Sequence, residues 1–278
     1  DSMNKPKREG LISGVIGSIF TIFLFIVPFY FMFVNSIKSS AEANKLSIAW
    51  PSELHFENYI QVLVKNNFQL LTAFKNSTIL TICSVIGLII CSSMAGYVIQ
   101  RRHDKPTRAI QWLIMLGLMI PAAILPTISL LQKMHLYKTM FGMVMIEIAL
   151  QLPFTIMLYR GYMASIPVEL EEAACIDGCS NTRIFFDIIL PLLKPIHATV
   201  LILDAVTIFN DFTNPLYFLP GAKNATVQLT LYNYKGQFSS DYNLLFADVI
   251  LITLPMLVLF LLFNKKIVAG MVAGSVKG

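Results

Sequence analysis

Residues 76–105 read NSTILTICSVIGLIICSSMAGYVIQRRHDK, and this stretch decides the class of fold. Its first part, Asn76–Gln100, contains no charged side chain. A helix needs about 20 apolar residues to cross the hydrocarbon core of a bilayer, so this segment is long enough to span a membrane. The basic group that follows at once, Arg101–Lys105, is typical of the cytoplasmic end of a membrane helix, because Lys and Arg collect on that side.

The composition of the whole chain also indicates a membrane protein. Of its 278 residues, 56% are hydrophobic and only 13% are charged, with a mean hydropathy of +0.68, whereas soluble domains carry about 25% charged residues. The net charge of +5 does not indicate nucleic-acid binding, because no Lys/Arg-rich run with interleaved aromatic residues occurs. The four cysteines have neither a pattern typical of a disulfide framework nor histidines near enough for a metal site.

Other segments of the chain are similar to Asn76–Gln100 in length and hydropathy. We therefore predict an all-α integral membrane protein with six transmembrane helices. These predicted spans are Leu11–Val34, Asn76–Gln100, Ala109–Leu131, Phe141–Tyr159, Ile196–Leu216 and Asn243–Phe263.

The distribution of Lys and Arg predicts that both termini are cytoplasmic. The chain then divides into a cytoplasmic N-terminus (1–10), a transmembrane domain (11–263) with a cytoplasmic loop at 161–194, and a cytoplasmic C-terminal tail (264–278). On the outer side, the loop Asn35–Lys75 contains the amphipathic run Phe56–Val64, which predicts a surface helix.

The longest predicted cytoplasmic loop contains the most informative motif. Residues 165–178 read SIPVELEEAACIDG. Ser165 and Pro167 are typical of helix starts and Gly178 of a helix end, and acidic residues favour the first turns because of the helix dipole. The stretch predicts a short helix with a small-residue face and a charged cluster, suited to docking a partner; a plain amphipathic connector is the alternative. A second helix is predicted from Thr182 to Leu190, with Pro191 as its end.

The spacing of residues in this loop is similar to the loop signature of ABC importer permeases. The matching residues are Glu172-Ala173-Ala174, Gly178, Ile188 and Leu190-Pro191. Further segments resemble the carbohydrate branch of that family, and most closely the second permease subunit of its maltose-type systems. These segments are Phe56–Tyr59, Asn76-Ser77, Ala95–Tyr97 with Arg101, Met119–Pro121, Leu152-Pro153 and the end of the chain from Phe263 to Gly278.

The resemblance implies a type I ABC importer permease bundle whose cytoplasmic loop forms a coupling helix seated on an ATPase subunit. The residues that it assigns to ATPase coupling are Glu171, Glu172, Ala173, Ala174, Asp177 and Gly178. In the C-terminal tail it assigns ATPase contacts to Gly274, Lys277 and Gly278. An outer loop, Phe218–Tyr242, is expected to contact the binding protein, with Gly221, Asn224 and Gly236 permitting its turns.

The same resemblance implies the partners of the chain. They are a second permease subunit in a heterodimer, two ATPase subunits and an extracytoplasmic sugar-binding protein, all at the bacterial cytoplasmic membrane. ATP and Mg²⁺ would be bound by the ATPase, so no cofactor or metal is expected in this chain.

Polar residues in the fifth predicted span suggest a substrate pathway. A charged residue at the centre of a membrane helix costs about 2.5–3.5 kcal/mol, so it is tolerated mainly beside a cavity or a partner. On a continuous helix the residues Asp204, Asn210, Asp211 and Asn214 would form one polar stripe suited to a hydroxyl-rich solute. Contacts between helices, or wetting at the outer end, are the alternatives; Glu147 and Asp248 are expected to be structural or partner-facing. Phe209 stands where the resembled branch usually has Trp, so the cargo of its members does not carry over directly.

No catalytic motif is found in the sequence, such as a Walker A loop or a nucleophile–base set. We therefore predict a transport subunit rather than an enzyme, and the resemblance implies a di- or oligosaccharide as its cargo. The alternatives are an ABC permease for a non-sugar solute, a secondary transporter, which the lack of an internal repeat disfavours, and an intramembrane enzyme.

Overall fold

The computed structural model describes residues 5–121, 123–235 and 240–275, and these residues are mostly helical with no strand. This confirms the all-α class. The α-helices are α1 (Lys5–Ser36), α2 (Ser40–Ala43), α3 (Glu57–Arg101), α4 (Lys105–Met119), α5 (Ile124–Lys133), α6 (Met140–Met163), α7 (Glu169–Ile176), α8 (Asn181–Arg183), α9 (Leu190–Leu192), α10 (Lys194–Phe209), α11 (Thr213–Phe218), α12 (Val227–Thr230) and α13 (Tyr242–Ser275). A π-helix, Ile184–Ile189, joins α8 to α9, and 3₁₀ turns occupy Ala222–Asn224 and Leu231–Tyr234.

Three helices of the described chain are long and apolar enough to cross a membrane by themselves: α3, α6 and the Tyr242–Phe263 part of α13. Two bent pairs, α4 with α5 and Asn181–Leu192 with α10, raise the number to five if each pair is one span. In α1 the described apolar part is Phe20–Ser36. The count of six spans therefore stays a prediction.

The third predicted span, Ala109–Leu131, is not one continuous helix. It divides into α4 and α5, whose axes differ by 118°. Ile120 has an extended backbone (φ −88°, ψ 118°) directly before Pro121. The reason is steric, because the ring of a proline disfavours helical backbone angles in the residue before it.

The fifth predicted span, Ile196–Leu216, is also interrupted. Helix α10 ends at Phe209 and α11 begins at Thr213. In a continuous helix the ring of Pro215 would clash with the carbonyl of Asp211, four residues earlier, and a hydrogen bond would be lost. Asp211 instead accepts hydrogen bonds at its side chain from the backbone N–H groups of Thr213 (2.9 Å) and Asn214 (3.2 Å). The prediction of one polar stripe on a continuous helix was therefore wrong.

The helix predicted over Phe56–Val64 is confirmed, and it belongs to the same long element as the second predicted span. Helix α3 starts at Glu57 and is interrupted where Asn66, Asn67 and Phe68 have positive φ angles of 53°, 55° and 60°. Asn tolerates the left-handed region better than most residues, because its short amide can bond locally. The predicted outer loop Asn35–Lys75 is thus largely helical.

The chain forms two compact units. The first contains Asp1–Leu70 and Thr230–Leu254. It is held by buried polar contacts: the Asn58 side chain donates to the carbonyls of Ser36 (2.8 Å) and Lys38 (2.9 Å) and accepts from Asn243 (2.9 Å). Nearby, the fully buried Asp248 accepts from the Thr230 hydroxyl at 2.8 Å. Buried amides and carboxylates need such partners, so these contacts fix how the helix ends of this unit meet.

The second unit contains Leu71–Leu229 and Pro255–Gly278, and it holds two hydrophobic clusters. One is built around Tyr159 of α6, with side chains from the π-helix and α10. The other lies around Leu88 of α3 and Met143 of α6. Helices α3 and α6 approach closely at Gly96, where an added Cβ would lie 2.9 Å from Cβ of Tyr159 and 3.2 Å from the backbone N of Arg160. Small residues at such crossings let membrane helices pack tightly.

We expect Gly96→Ala to destabilise the second unit by about 1–3 kcal/mol, because the new methyl group overlaps backbone and Cβ atoms that cannot move independently. Gly161→Ala is a matched control: it adds the same group in the same helix pair, where nothing lies within 4 Å. Thermal unfolding of the solubilised protein measures the difference, and equal unfolding temperatures for the two variants would contradict the close contact.

Candidate functional site

The candidate site is the loop 161–194, predicted to be cytoplasmic, with α7 at its centre. Three acidic residues, Glu169, Glu171 and Glu172, occupy the first turn of α7, where they complement the helix dipole. The predicted start is partly wrong. Val168 is the N-cap residue and makes no side-chain cap, while the hydroxyl of Ser165 donates 2.7 Å back to the carbonyl of Tyr162 and thus completes the end of α6.

Helix α7 ends where the sequence predicts, with its C-cap residue directly before Gly178. Gly178 has φ +81°, the left-handed conformation that glycine adopts without strain. The N–H of Cys179 bonds to the carbonyl of Ala174 and the N–H of Gly178 to the carbonyl of Cys175, each at 3.0 Å. This pair of bonds is a Schellman motif, so the chain turns sharply away after the helix.

Glu171 faces the protein's own interior. Its carboxylate accepts from Nε of Arg101 at 2.7 Å and from the hydroxyl of Tyr97 at 2.9 Å. Arg101 also donates through Nη2 to the carbonyl of Ile166 at 3.0 Å. The side chains of the ion pair are only 15% and 12% exposed. The expectation that the whole acidic cluster points at a partner therefore fails for Glu171, which ties α7 to the end of α3.

The outward face of α7 presents Leu170, Glu172, Ala173, Ile176 and Asp177, whereas Ala174 is buried. Ile176 is 86% exposed, the largest value among the exposed hydrophobic side chains of the described residues. Sequence reasoning missed Ile176, although it follows Ala173 by three residues and so lies on the same helix face. Of the residues assigned to coupling, Glu172, Ala173, Asp177 and Gly178 are exposed, and their role stays a prediction.

The second half of the loop differs from its prediction at both ends. Helical structure starts at Asn181, capped by the Ser180 hydroxyl, and it continues through Pro191 to Leu192. Pro191 does not end the helix because the preceding π-helix shifts the bonding, so that the N–H of Leu190 bonds to the carbonyl of Phe185. The axis then bends by 72° into α10.

An open cleft of about 840 Å³ is lined by residues of α7 and of the end of α3, beside the ion pair that joins them. Its lining carries both charge signs, with Arg101 as the cation and Glu169 and Glu172 among the anions, and it also includes His103. Next to His103 in the chain, Asp104 caps α4 by accepting from the N–H of Thr107 (3.0 Å), and hydrogen bonds from Thr107 hold the pKa of that carboxyl below its usual value.

The polar residues of the predicted pathway fall into separate groups. Asp204 is buried and accepts from the Thr155 hydroxyl at 3.1 Å. Asp211 accepts from the side-chain amide of Asn214 at 2.6 Å, and its carboxyl group interacts electrostatically with that of the buried Glu147. The structural or partner-facing role of Glu147 stays a prediction.

Asn210 forms a group of its own with Gln228. Its side-chain oxygen accepts from the amide of Gln228 at 2.9 Å, while its own amide donates to the carbonyl of Val206 at 2.9 Å. Gln228 was missed by sequence reasoning, because only the fold brings it beside α10.

The outer loop is fixed at its base. The Asn76 amide donates to the carbonyls of Lys223 (2.9 Å) and Ala225 (3.0 Å), and the Asn224 amide donates to that of Lys138 (3.3 Å). Gly221 has φ +122°, the turn conformation expected for it. The third residue assigned to this loop, Gly236, lies outside the described residues.

In the predicted tail, Gly274 lies near the end of α13, while Lys277 and Gly278 lie outside the described residues. Helix α13 continues through the predicted boundary at residues 263–264. Within the described ranges no group of three or more His, Cys, Asp or Glu residues could hold a metal ion.

A family model described as the inner membrane component of binding-protein-dependent transport systems matches residues 87–272, which include the loop 161–194. The chain belongs to this family.

Named relatives extend the similarity of this permease to nearly its whole length. It is 34% identical over 255 residues to the melibiose/raffinose/stachyose import permease protein MelC of Bacillus subtilis (strain 168), covering 91% of each chain. It is 33% identical over 260 residues to the multiple sugar-binding transport system permease protein MsmG of Streptococcus mutans serotype c, covering 91% of the permease and 92% of the relative. Among solved structures, a bacterial ABC transporter involved in import of the polysaccharide alginate has a chain that superposes with a TM-score of 0.82 at 21% identity, covering 95% of the permease and 98% of that chain. The permease therefore has the ABC importer fold and is a transport subunit of the inner membrane.

We expect Glu171→Ala to loosen α7 by about 3 kcal/mol, because it leaves the partly buried Arg101 without its carboxylate. Glu172→Ala is the matched control, since it removes the same charge one residue later at an exposed position. Hydrogen–deuterium exchange over residues 169–176 should rise in the first variant and stay near wild type in the second. Equal exchange in both variants would show that the ion pair does not hold α7.

Proposed function

We propose that this permease forms one half of the membrane channel of an ATP-driven importer for di- or oligosaccharides. The observation that carries the proposal is the construction of α7, which is tied internally by Glu171 and Arg101 while Glu172, Ala173 and Ile176 remain exposed. A helix that is firmly held yet leaves a large apolar side chain uncovered is suited to docking a partner. The family membership and the names of the sugar-permease relatives support the same function.

In this proposal the other partners are a second permease subunit, two ATPase subunits and an extracytoplasmic sugar-binding protein. ATP and Mg²⁺ are bound and used by the ATPase chains. Both termini are cytoplasmic, with residues 1–10 and 264–278 flanking the transmembrane domain 11–263. Gly274, Lys277 and Gly278 contribute further ATPase contacts from the tail.

The coupling step that we propose is mechanical. The ATPase closes against the exposed face of α7, and α7 passes the movement to α3 through Glu171 and Arg101. It passes movement to α10 through the π-helix, whose Ile184 and Ile189 pack in the cluster around Tyr159. Since protein interiors are close-packed, a displacement of α7 moves these helices together and drives alternating access.

On the outer side, we propose that the loop fixed by Asn76 meets the binding protein through residues around Gly221, Asn224 and Gly236. We assign sugar contacts to the group Asn210–Gln228 and to Asp211 with Asn214. These are exposed or half-buried amide and carboxylate groups, which suit hydrogen bonding to hydroxyls. Asp204 is buried and accepts a hydrogen bond from Thr155. We therefore propose that it supports the helices beside the sugar path and does not contact the sugar.

The function is tested by purifying the permease from its native membrane under mild solubilisation and identifying its partners by mass spectrometry. We expect an ATPase, a second permease and a binding protein, which can then be screened against sugars. Recovery of the chain alone would favour a secondary transporter, and a binding protein that prefers a non-sugar solute would overturn the substrate class.

The same assay tests the docking face. We expect Ile176→Asp to lower ATPase recovery at least about tenfold, because burying an unpaired charge in a partner's cleft costs more than about 1.4 kcal/mol. Gln132→Asp is the control, since it adds the same charge at an exposed position of α5. Undiminished recovery with Ile176→Asp would remove α7 as the ATPase contact.

A further inference from the structure

A second surface feature lies beside the coupling loop. A cleft of about 400 Å³ runs between α3 and the corner where the helical segment Asn181–Leu192 meets α10. This volume falls within the range of about 300–1,000 Å³ found for sites that bind small molecules. Its walls are nearly all hydrophobic and include Ile89, Ile90, Met94, Phe186, Leu190 and Pro191.

Two basic residues line this apolar cleft, Lys194 and His197, and Nδ1 of His197 is hydrogen-bonded to the hydroxyl of Tyr159. Lys194 is exposed, and in the part of the chain that the structure describes no acidic side chain pairs with it. An adjoining cleft of about 370 Å³ shares Met94 and Phe186 and carries the exposed Arg102. The surface therefore combines an apolar slot with the cationic groups of Lys194 and Arg102, besides Arg101, which is already paired with Glu171; no carboxylate lines either cleft.

The slot exists because of the local backbone. The π-helix Ile184–Ile189 and the 72° bend before α10 produce the corner in which the slot lies. π-Helical turns are rare and often mark functional positions. Phe185, in the same π-helix, lies 5.3 Å from the ring of Tyr97, which bonds to Glu171. The wall of the slot is thus in contact with the residues that hold α7.

We propose that this surface binds an anionic phospholipid, with its headgroup phosphate at Lys194 and Arg102 and an acyl chain in the apolar slot. The charge pattern favours this occupant, because a phosphate is complementary to the two cations while the slot accepts only an apolar chain. Basic pockets between membrane helices on the cytoplasmic side are typical sites for anionic headgroups. The proposal uses the orientation given under the proposed function, which places Lys194 at the cytoplasmic interface.

The test uses the assembled importer, solubilised and equilibrated with equal amounts of phosphatidylglycerol and phosphatidylcholine, with retained lipids counted by native mass spectrometry. We expect preferential retention of phosphatidylglycerol. Lys194→Gln should reduce that preference about five-fold, because each basic group near a membrane surface strengthens the binding of anionic lipid by about that factor. Lys194→Arg should keep the preference, because it keeps the charge. Ile90→Trp, which fills the slot, should reduce retention of both lipids.

Matched controls separate the site from general effects. Lys105→Gln removes an exposed lysine elsewhere, and Ile110→Trp enlarges an exposed apolar side chain of α4; both should leave retention unchanged. Equal preference in Lys194→Gln and Lys105→Gln would overturn the proposal. So would a photo-crosslinking residue at Met94 that captures the second permease subunit instead of lipid.

The two proposals fail in different ways. If the wild-type chain recovers no ATPase, the proposed function fails, and the lipid preference is then measured on the isolated permease. If the complex assembles but Lys194→Gln keeps the wild-type preference, only the lipid site fails.

Discussion

The ion pair between Arg101 and Glu171 joins the end of the long helix α3 to the short helix α7. Its two side chains are largely shielded from water, so each depends on the other for compensation of its charge. Arg101 also binds the carbonyl of Ile166, three residues before α7 begins, and therefore holds both the approach to this helix and its first turn. The position of the exposed face follows from this one contact, because fixing Glu171 inward leaves Glu172 and Ile176 outward.

Apolar packing and hydrogen bonds contribute differently to the structure of the loop around α7. The cluster of Tyr159, Met163, Ile189 and Leu193 supplies contact area that has no preferred direction. Hydrogen bonds such as that between the hydroxyl of Tyr159 and Nδ1 of His197, at 2.5 Å, supply direction. A loop built from both kinds of contact can transmit displacement, since it neither slides freely nor bends independently of α6 and α10.

The interruptions of the helices follow from a constraint that lipid imposes. Backbone groups in a membrane must be satisfied within the protein, so an irregular segment persists only where other groups replace the lost helix bonds. After α10 this replacement is visible: Asn210 bonds to Val206 and Gln228, and the side chain of Asp211 takes the N–H groups of Thr213 and Asn214. Polar residues that look like a pathway in the sequence are thus partly required by the backbone itself. Asn210 is exposed and Asp211 is half-buried, as the proposed sugar contacts require.

The sequence by itself determined the features that depend on neighbouring residues: the apolar segments, the acidic first turn of α7 and the turn at Gly178. Pro121 and Pro215 disfavour a regular helix around them, but Pro153 and Pro255 lie inside helices that continue, so the positions of the prolines alone did not show which spans are broken. Only the tertiary structure decided that Glu171 is an internal anchor while Glu172 is exposed, because the deciding partner, Arg101, lies 70 residues away. The hydrogen bonds from Asn76 to the predicted outer loop join residues that are 147 and 149 positions apart, so the sequence could not predict them for the same reason. Helix period and hydropathy are local properties of a chain, whereas the direction in which a particular polar side chain points is set by whichever distant group can satisfy it.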